Sequence, residues 1–264
     1  MNSASYKVEA YNTAKQSENR IHDDSVAQRF GFTGGLVPGV DVYAYMTHLP
    51  VARWGRAWLE RGTLECRFGK PVYDGMIATV SSTPDGAGMQ LAVESEGVSC
   101  ATGSASLPDT AEPIDLGYWP VPIAPPAERP PASAHSLAEG RWLAINPVHV
   151  TPDFAAQYYA DVRETLPHYA AEGLMHPGTI LRTCNWVLGN NVVLGPWIHV
   201  GSKVTNISAG RIGETLTVRA RVARNYAHKG HLFVDLDALV LGDTRPLARV
   251  AHTAIYLPRQ VAEA

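Results

Sequence analysis

Two segments of the chain are apolar on every side. Residues 40–49 put Val40, Tyr43, Ala44 and Thr47 on one helical face and Val42, Tyr45, Met46 and Leu49 on another. A helix without a polar stripe is buried all round. Residues 179–188 have the same length and character. Each segment follows a glycine-bearing turn and precedes short runs rich in β-branched residues, which read as strands. The runs are 63–68, 76–82 and 89–94 after the first helix, and 197–207, 215–222, 231–241 and 248–256 after the second. Alternation is sharpest in Thr215-Leu216-Thr217-Val218-Arg219-Ala220-Arg221-Val222, the period-two pattern of a strand with one face on a core. A buried helix followed by antiparallel strands, twice over, predicts an α+β fold in which a sheet wraps a helix.

The residues repeat as well as the elements. Gly35-Leu36-Val37-Pro38-Gly39 is similar to Gly173-Leu174-Met175-His176-Pro177-Gly178, and Gly39 and Gly178 stand 139 positions apart. The segment 71–80 is similar to 209–218, with Gly75 and Gly213 at an offset of 138. Both halves close on Leu-Pro, at Leu107-Pro108 and Leu257-Pro258, an offset of 150 that the longer segment 225–230 accounts for. Three matches in order predict a duplication. Between the copies, residues 119–134 carry six prolines in 16 positions. Proline fixes φ and has no N–H, so this stretch is neither helix interior nor central strand but an extended linker. The predicted organisation is a unit over 1–118, a linker over 119–136 and a second unit over 137–264.

Composition narrows the function. Of 264 residues, 45% are hydrophobic and 18% charged, which supplies a real core and excludes disorder as the main state. Lys and Arg number 22 against 25 Asp and Glu, a net charge of -3, which argues against a nucleic-acid partner. No apolar run of about 20 residues is present, so no membrane-spanning helix is expected. The first residues lack the layout of a signal peptide. Cys66, Cys100 and Cys184 are scattered and form no CxxC, which argues for a reducing compartment and against structural zinc. The expectation is a soluble cytoplasmic protein with no metal and no bound cofactor. There is no GxxxxGK[ST], no usable GxGxxG after a strand and no GxSxG, so nucleotide, Rossmann and serine-hydrolase readings have no support.

The segment Ser17-Glu18-Asn19-Arg20-Ile21-His22-Asp23-Asp24 resembles the hydratase motif of MaoC-like (R)-specific enoyl-CoA hydratases, Asp-x-Asn-Pro-Ile/Leu-His-x-Asp. Asn19, Ile21, His22 and Asp24 match it. Ala27, Gly31, Phe32, Gly35 and Gly39 continue the family's pattern up to its central helix. Phe68, Pro71, Val72, Tyr73 and Gly75 resemble its Phe-x-x-Pro-Val-Tyr-x-Gly segment. The resemblance covers most of the first half and, more loosely, the second. It implies a double hotdog: two tandem units, each a curved antiparallel sheet around a central helix. It also implies a hydratase or dehydratase acting on an acyl-CoA or acyl-carrier thioester, and leaves a homodimer of such chains open. The sequence departs from the family at three places: the motif's catalytic Asp is Ser17, its Pro is Arg20, and the His at its helix start is Pro38. The second half keeps His176 there but has no clean motif, because the position five after Asp161 is Leu166 and His168 comes two residues late.

Adding water across an enoyl thioester needs a base for the water, an acid for the α-carbon and a donor for the developing enolate oxygen. The resemblance makes His22 the acid-base group, with Asn19 orienting water or thioester and Ser17 in the carboxylate's position. Gly39 is the candidate oxyanion donor, because backbone N–H groups at a helix N-terminus are unpaired and the helix dipole favours negative charge there. The plainer readings stand beside these: Asn19 as a turn residue, Asp24 as an N-cap, Gly39 as a small residue at a tight helix start. Asp161, Glu172 and His176 are secondary candidates that could complete the site from the second half. Asp41 is the candidate base of a different reaction, a hotdog thioesterase; its plainer reading is a first-turn acid on the helix dipole. A non-catalytic acyl-binding subunit is the third reading, given Ser17. Trp54, Trp58, Trp186 and Trp197 read as packing.

Overall fold

The computed structural model describes residues 3–120 and 124–259. Its first half runs β1 (Ala4–Glu9), a short α1 (Asp24–Arg29), α2 (Gly39–Trp54), α3 (Arg56–Arg61), β2 (Thr63–Phe68), β3 (Ile77–Asp85), β4 (Gly88–Ser95) and β5 (Val98–Ser106). The second half runs β6 (Trp142–Ala144), β7 (Val148–His149), α4 (Pro152–Asp161), α5 (His168–Glu172), α6 (Pro177–Asn191), β8 (Ile198–Asn206), β9 (Thr215–His228), β10 (His231–Gly242) and β11 (Arg245–Leu257).

The strands form one continuous antiparallel sheet in the order β1-β3-β4-β5-β2-β8-β11-β10-β9-β6, with β7 also on β9. The halves meet where β2 pairs β8, Leu64 opposite Val204 and Cys66 opposite Ser202. Moving outward from this seam the order is β2, β5, β4, β3 on one side and β8, β11, β10, β9 on the other. The two halves therefore have the same topology, and α2 and α6 take equivalent places ahead of β2 and β8. Even isolated bridges repeat: Leu36 pairs Tyr73 and Leu174 pairs Arg211, both partners 138 positions on. The turns before β3 and β9 each need a left-handed glycine, Gly75 with φ 75° and Gly213 with φ 96°, a conformation that costs residues with a Cβ.

The two central helices are buried as their composition requires. In α2, Tyr43, Met46, Thr47 and Val51 are fully buried, and in α6 Leu181, Thr183, Cys184 and Val187 are. Helix α2 continues through Pro50 to Trp54, beyond the segment predicted to stop at residue 49. Burial of Pro50 and Val51 outweighs the hydrogen bond that proline cannot donate. Strand β5 has no counterpart in the predicted elements. Its sequence Val-Ser-Cys-Ala-Thr-Gly-Ser-Ala-Ser carries almost no hydrophobic signal, because the strand is pressed close to its neighbours. A Cβ on Gly103 would lie 2.5 Å from the Glu65 carbonyl oxygen and 2.8 Å from the Met46 methyl.

Where it is described, the proline-rich segment has no helix and no named strand, bends and turns interrupt it, and it is tied to the second half. Pro131 bridges Val193, whose N–H donates to the Pro130 carbonyl. Trp119 is buried against Leu239 and Leu241. Residues 121–123 of the predicted linker lie outside the described residues. Among the described residues, no helix is long and apolar enough to cross a membrane, and Cys66, Cys100 and Cys184 are free and buried.

Candidate active site

The sequence before α1 folds back over the N-terminus of α2. Asn19 caps a 3₁₀ turn over Arg20–His22, and this turn carries His22 into place. His22 Nδ1 lies 2.6 Å from the Leu36 carbonyl oxygen. A carbonyl only accepts, so the proton is on Nδ1 and Nε2 keeps its lone pair. Nε2 meets the Asn19 amide at 3.4 Å, a contact long enough for a substrate or water to displace. Burial pushes the His22 pKa down, against the Leu36 hydrogen bond and the charge of Asp41, which push it up. The result is a neutral imidazole with an available base.

Asn19 holds the two halves in register here. Its Nδ2 donates to the Trp197 carbonyl at 3.0 Å and its Oδ1 accepts the Trp197 N–H at 3.2 Å. The start of β8 is thereby fixed beside His22. Asp24 works one layer out: its Oδ1 accepts the Gly35 N–H at 2.6 Å and so steadies the loop whose Leu36 carbonyl orients His22. The N-cap of α1 is Asp23, whose carboxylate accepts from the Ser25 and Val26 N–H groups. This corrects the N-cap reading of Asp24, which lies one position inside the helix.

Two adjoining cavities open at this point, of about 350 and 290 Å³. His22, Asn19, Pro38, Asn185 and Trp197 line both. Ser17, Arg129 and Arg182 give the larger one a polar wall, whereas Phe32, Leu36, Val42, Phe68 and Ile198 make the smaller one apolar. Gly39, the first residue of α2, lines the apolar cavity. Its backbone N–H is one that the helix itself leaves unpaired. A side chain at 39 would collide, since a built Cβ lies 2.9 Å from His199 Nδ1 and 3.2 Å from the Phe68 ring.

The structure thus brings His22, Asn19, Ser17 and Gly39 to one place. The Ser17 hydroxyl donates to the Asn19 carbonyl at 3.2 Å. The other candidates lie elsewhere. Asp41 is wholly buried and faces α6. It pairs with Arg182 at 2.9 Å and accepts from Thr13 at 2.6 Å and Tyr158 at 3.1 Å. Asp161 accepts from Gln157, and the partly exposed Glu172 pairs with Arg56. His176 caps α6, its Nδ1 accepting the Gly178 N–H at 3.0 Å. Asp161, Glu172 and His176 therefore do not form the group expected of them.

The carboxylate that His176 meets is Glu164, 3.3 Å from Nε2 and also 2.9 Å from His48 of α2. Burial pushes the Glu164 carboxyl up, but hydrogen bonds from both histidines outweigh it and hold the group well below its usual range. The N-terminus of α6 consequently differs from that of α2. Its free N–H is taken by His176, and a Cβ on Gly178 would lie 2.2 Å from the Tyr158 hydroxyl. One helix mouth faces a cavity, while the other is filled by the chain's own side chains.

Sequence reasoning did not single out Asn185 and His199, which the second half contributes to the apolar cavity. The signal for His199 was a polar residue at an inward position of β8, with Ser202 beside it. Nothing near Asn185 marked it. Among the described residues, no cluster of three or more His, Cys, Asp or Glu side chains is arranged to hold a metal ion.

No protein-family model matches the chain, and no curated protein matches it. Solved structures do. A protein described as a MaoC-domain dehydratase from Chloroflexus aurantiacus is similar at a TM-score of 0.64 and 13% identity, covering 97% of this chain and 95% of that one. A conserved hypothetical protein from Mycobacterium tuberculosis with a double hotdog fold gives a TM-score of 0.63 at 14% identity, covering 97% and 96%. A tesB protein from Mycobacterium avium gives 0.51 at 11% identity, covering 96% and 93%. With two sheet-wrapped helices joined at β2 and β8, this chain has the double hotdog fold of the MaoC-like dehydratases.

Proposed function

We propose that the chain is a MaoC-like hydro-lyase that adds water to, or removes it from, an α,β-unsaturated acyl thioester carried on CoA or an acyl carrier. The observation that carries this reading is the His22 geometry: Nδ1–H anchored on Leu36, and an Nε2 lone pair, met by the Asn19 amide at 3.4 Å, on a residue that lines the cavity in front of the α2 N-terminus. In the hydration direction, Nε2 takes a proton from water and the water oxygen bonds to the β-carbon. The double-bond pair moves toward the thioester carbonyl, and the enolate oxygen is held by the Gly39 N–H. The imidazolium then returns its proton to the α-carbon, so atoms and charge balance on one residue. Asn19 and Ser17 hold the loop that presents His22. The acyl end takes the apolar cavity and the carrier arm takes the polar one, beside Arg129 and Arg182.

Asp41 has no place in this scheme, since Arg182, Thr13 and Tyr158 occupy its carboxylate. A thioesterase would have to find its base elsewhere. The test is product analysis with crotonyl-CoA. Loss of the enoyl absorbance without free thiol is the expected result. Release of thiol would replace the reading with a thioesterase. Binding with neither change would replace it with an acyl-binding protein.

A further inference from the structure

His199, at the start of β8, is buried to 7% exposure, and its Nδ1 has no hydrogen-bond partner. A buried polar nitrogen left unpaired is costly, and its presence in a native fold calls for an explanation. The nitrogen faces the first residue of α2: it is the nearest atom to a Cβ built on Gly39. Both residues line the apolar cavity that also holds His22. The ring is fixed from three sides. Phe68 meets it edge-on at 4.8 Å, His252 stacks on it at 4.2 Å, and its Nε2 lies 2.8 Å from the Ser202 hydroxyl. Ser202 in turn lies 3.0 Å from His252 Nδ1.

A hydroxyl has one proton to give, so it donates to one of these rings and accepts from the other. When His252 Nδ1–H donates to Ser202 and Ser202 donates to His199 Nε2, the His199 proton is on Nδ1, the nitrogen that faces Gly39 at the start of α2. Rotation of one hydroxyl, with the paired tautomers, separates this arrangement from its opposite, in which Nδ1 is bare. Burial and the neighbouring His252 hold His199 uncharged. A neutral imidazole N–H beside a helix N-terminus is a hydrogen-bond donor rather than an acid. It can hold charge that develops on an oxygen without transferring a proton.

We infer that His199 is a second oxyanion donor, contributed by the opposite half of the chain, whose Nδ1–H joins the Gly39 N–H on the thioester carbonyl oxygen. The inference rests on reading the cavity as an acyl-thioester site. It does not require hydration, because hydrolysis also develops charge on that oxygen. Ser202 and His252 are positioning residues that set the tautomer. The arrangement also accounts for Gly39, since any side chain there would displace the ring.

Measurements on the wild-type protein and on one variant test this. Butyryl-CoA labelled with carbon-13 at the carbonyl cannot be hydrated. Its bound carbonyl stretch should move to lower wavenumber than in water, and most of that displacement should disappear in His199→Phe. Nitrogen-15 histidine spectra of the butyryl-CoA complex should place the His199 proton on Nδ1. With crotonyl-CoA, His199→Phe should lower kcat by about 10²- to 10³-fold, the usual effect of removing one oxyanion donor, with KM changed much less. A wild-type carbonyl band identical to that in water, or a bare Nδ1 in the complex, overturns the inference even if the variant does not fold. Wild type that polarises butyryl-CoA but leaves crotonyl-CoA untouched overturns the hydro-lyase reading and leaves the His199 assignment standing.

Discussion

At the scale of single residues the proposed chemistry turns on His22. If proton transfer runs through Nε2, His22→Ala lowers kcat on an enoyl thioester by about 10²- to 10⁴-fold, the usual share of general acid–base catalysis. Thermal unfolding should change little, because the ring is only partly buried and its anchoring bond is to one carbonyl. Unchanged turnover in a folded His22→Ala protein would place the chemistry elsewhere. Ser17→Asp is the companion. Ser17 lines the same cavity as His22, and a carboxylate there would restore the Asp of the motif that this segment resembles. The expected outcome is a rise in crotonyl-CoA hydration over wild type; equal or lower rates in steady-state assays would show that the reaction has no use for it. His22, Asn19 and Gly39 were legible because a contiguous motif and a helix start bring them together over about 20 positions. Asp24 was legible as a polar residue of the motif but not as the partner of Gly35, since the loop closure that joins them is a backbone event.

At the scale of elements, the contact between α2 and α6 carries a cost that the sequence did not reveal. Asp41 is fully buried and Arg182 is 18% exposed on its side chain. A buried pair adds little over an apolar one, but losing one member strands a charge. Asp41→Asn should therefore lower unfolding free energy by about 3–5 kcal/mol in urea titrations. The double variant Asp41→Leu/Arg182→Met should recover most of that loss. A single variant within about 1 kcal/mol of wild type would mean that the pair is hydrated and contributes no more than a surface one. The two helices themselves were readable from unbroken apolar character. Strand β5 was not, because small residues required by close approach look like a loop when read as a pattern.

At the scale of the whole molecule, buried histidines couple stability to pH. Burial pushes His252 down to about 3 and His199 well below its ordinary value. Unfolded histidines titrate near pH 6.5. Below that pH the unfolded chain binds protons that the folded chain refuses, so stability is fully present above about 6.5 and falls with pH. The slope is about 1.4 kcal/mol per pH unit for each such histidine, continuing to about pH 3 for His252. Glu164 acts in the same direction at lower pH, because its depressed carboxyl stabilises the fold only while ionised. Urea midpoints should therefore drop between pH 7 and pH 5, and His252→Leu should flatten the drop. A midpoint independent of pH over that range would contradict the buried neutral pair.

By itself the sequence determined the duplicated α+β plan: two all-apolar helices, alternating strands and glycine turns repeating at a near-constant offset. Those features are local, because periodicity and turn chemistry act within a few residues. The tertiary structure alone decided which half holds an open site. Packing Tyr158 and His176 over the α6 N-terminus fills one mouth, and leaving Gly39 bare opens the other. It also decided that the open mouth is shared, with Trp197, Asn185 and His199 arriving from more than 140 positions away in the chain. Distances of that kind are set by sheet closure at β2 and β8, and no pattern within either half encodes which side chains will meet across it.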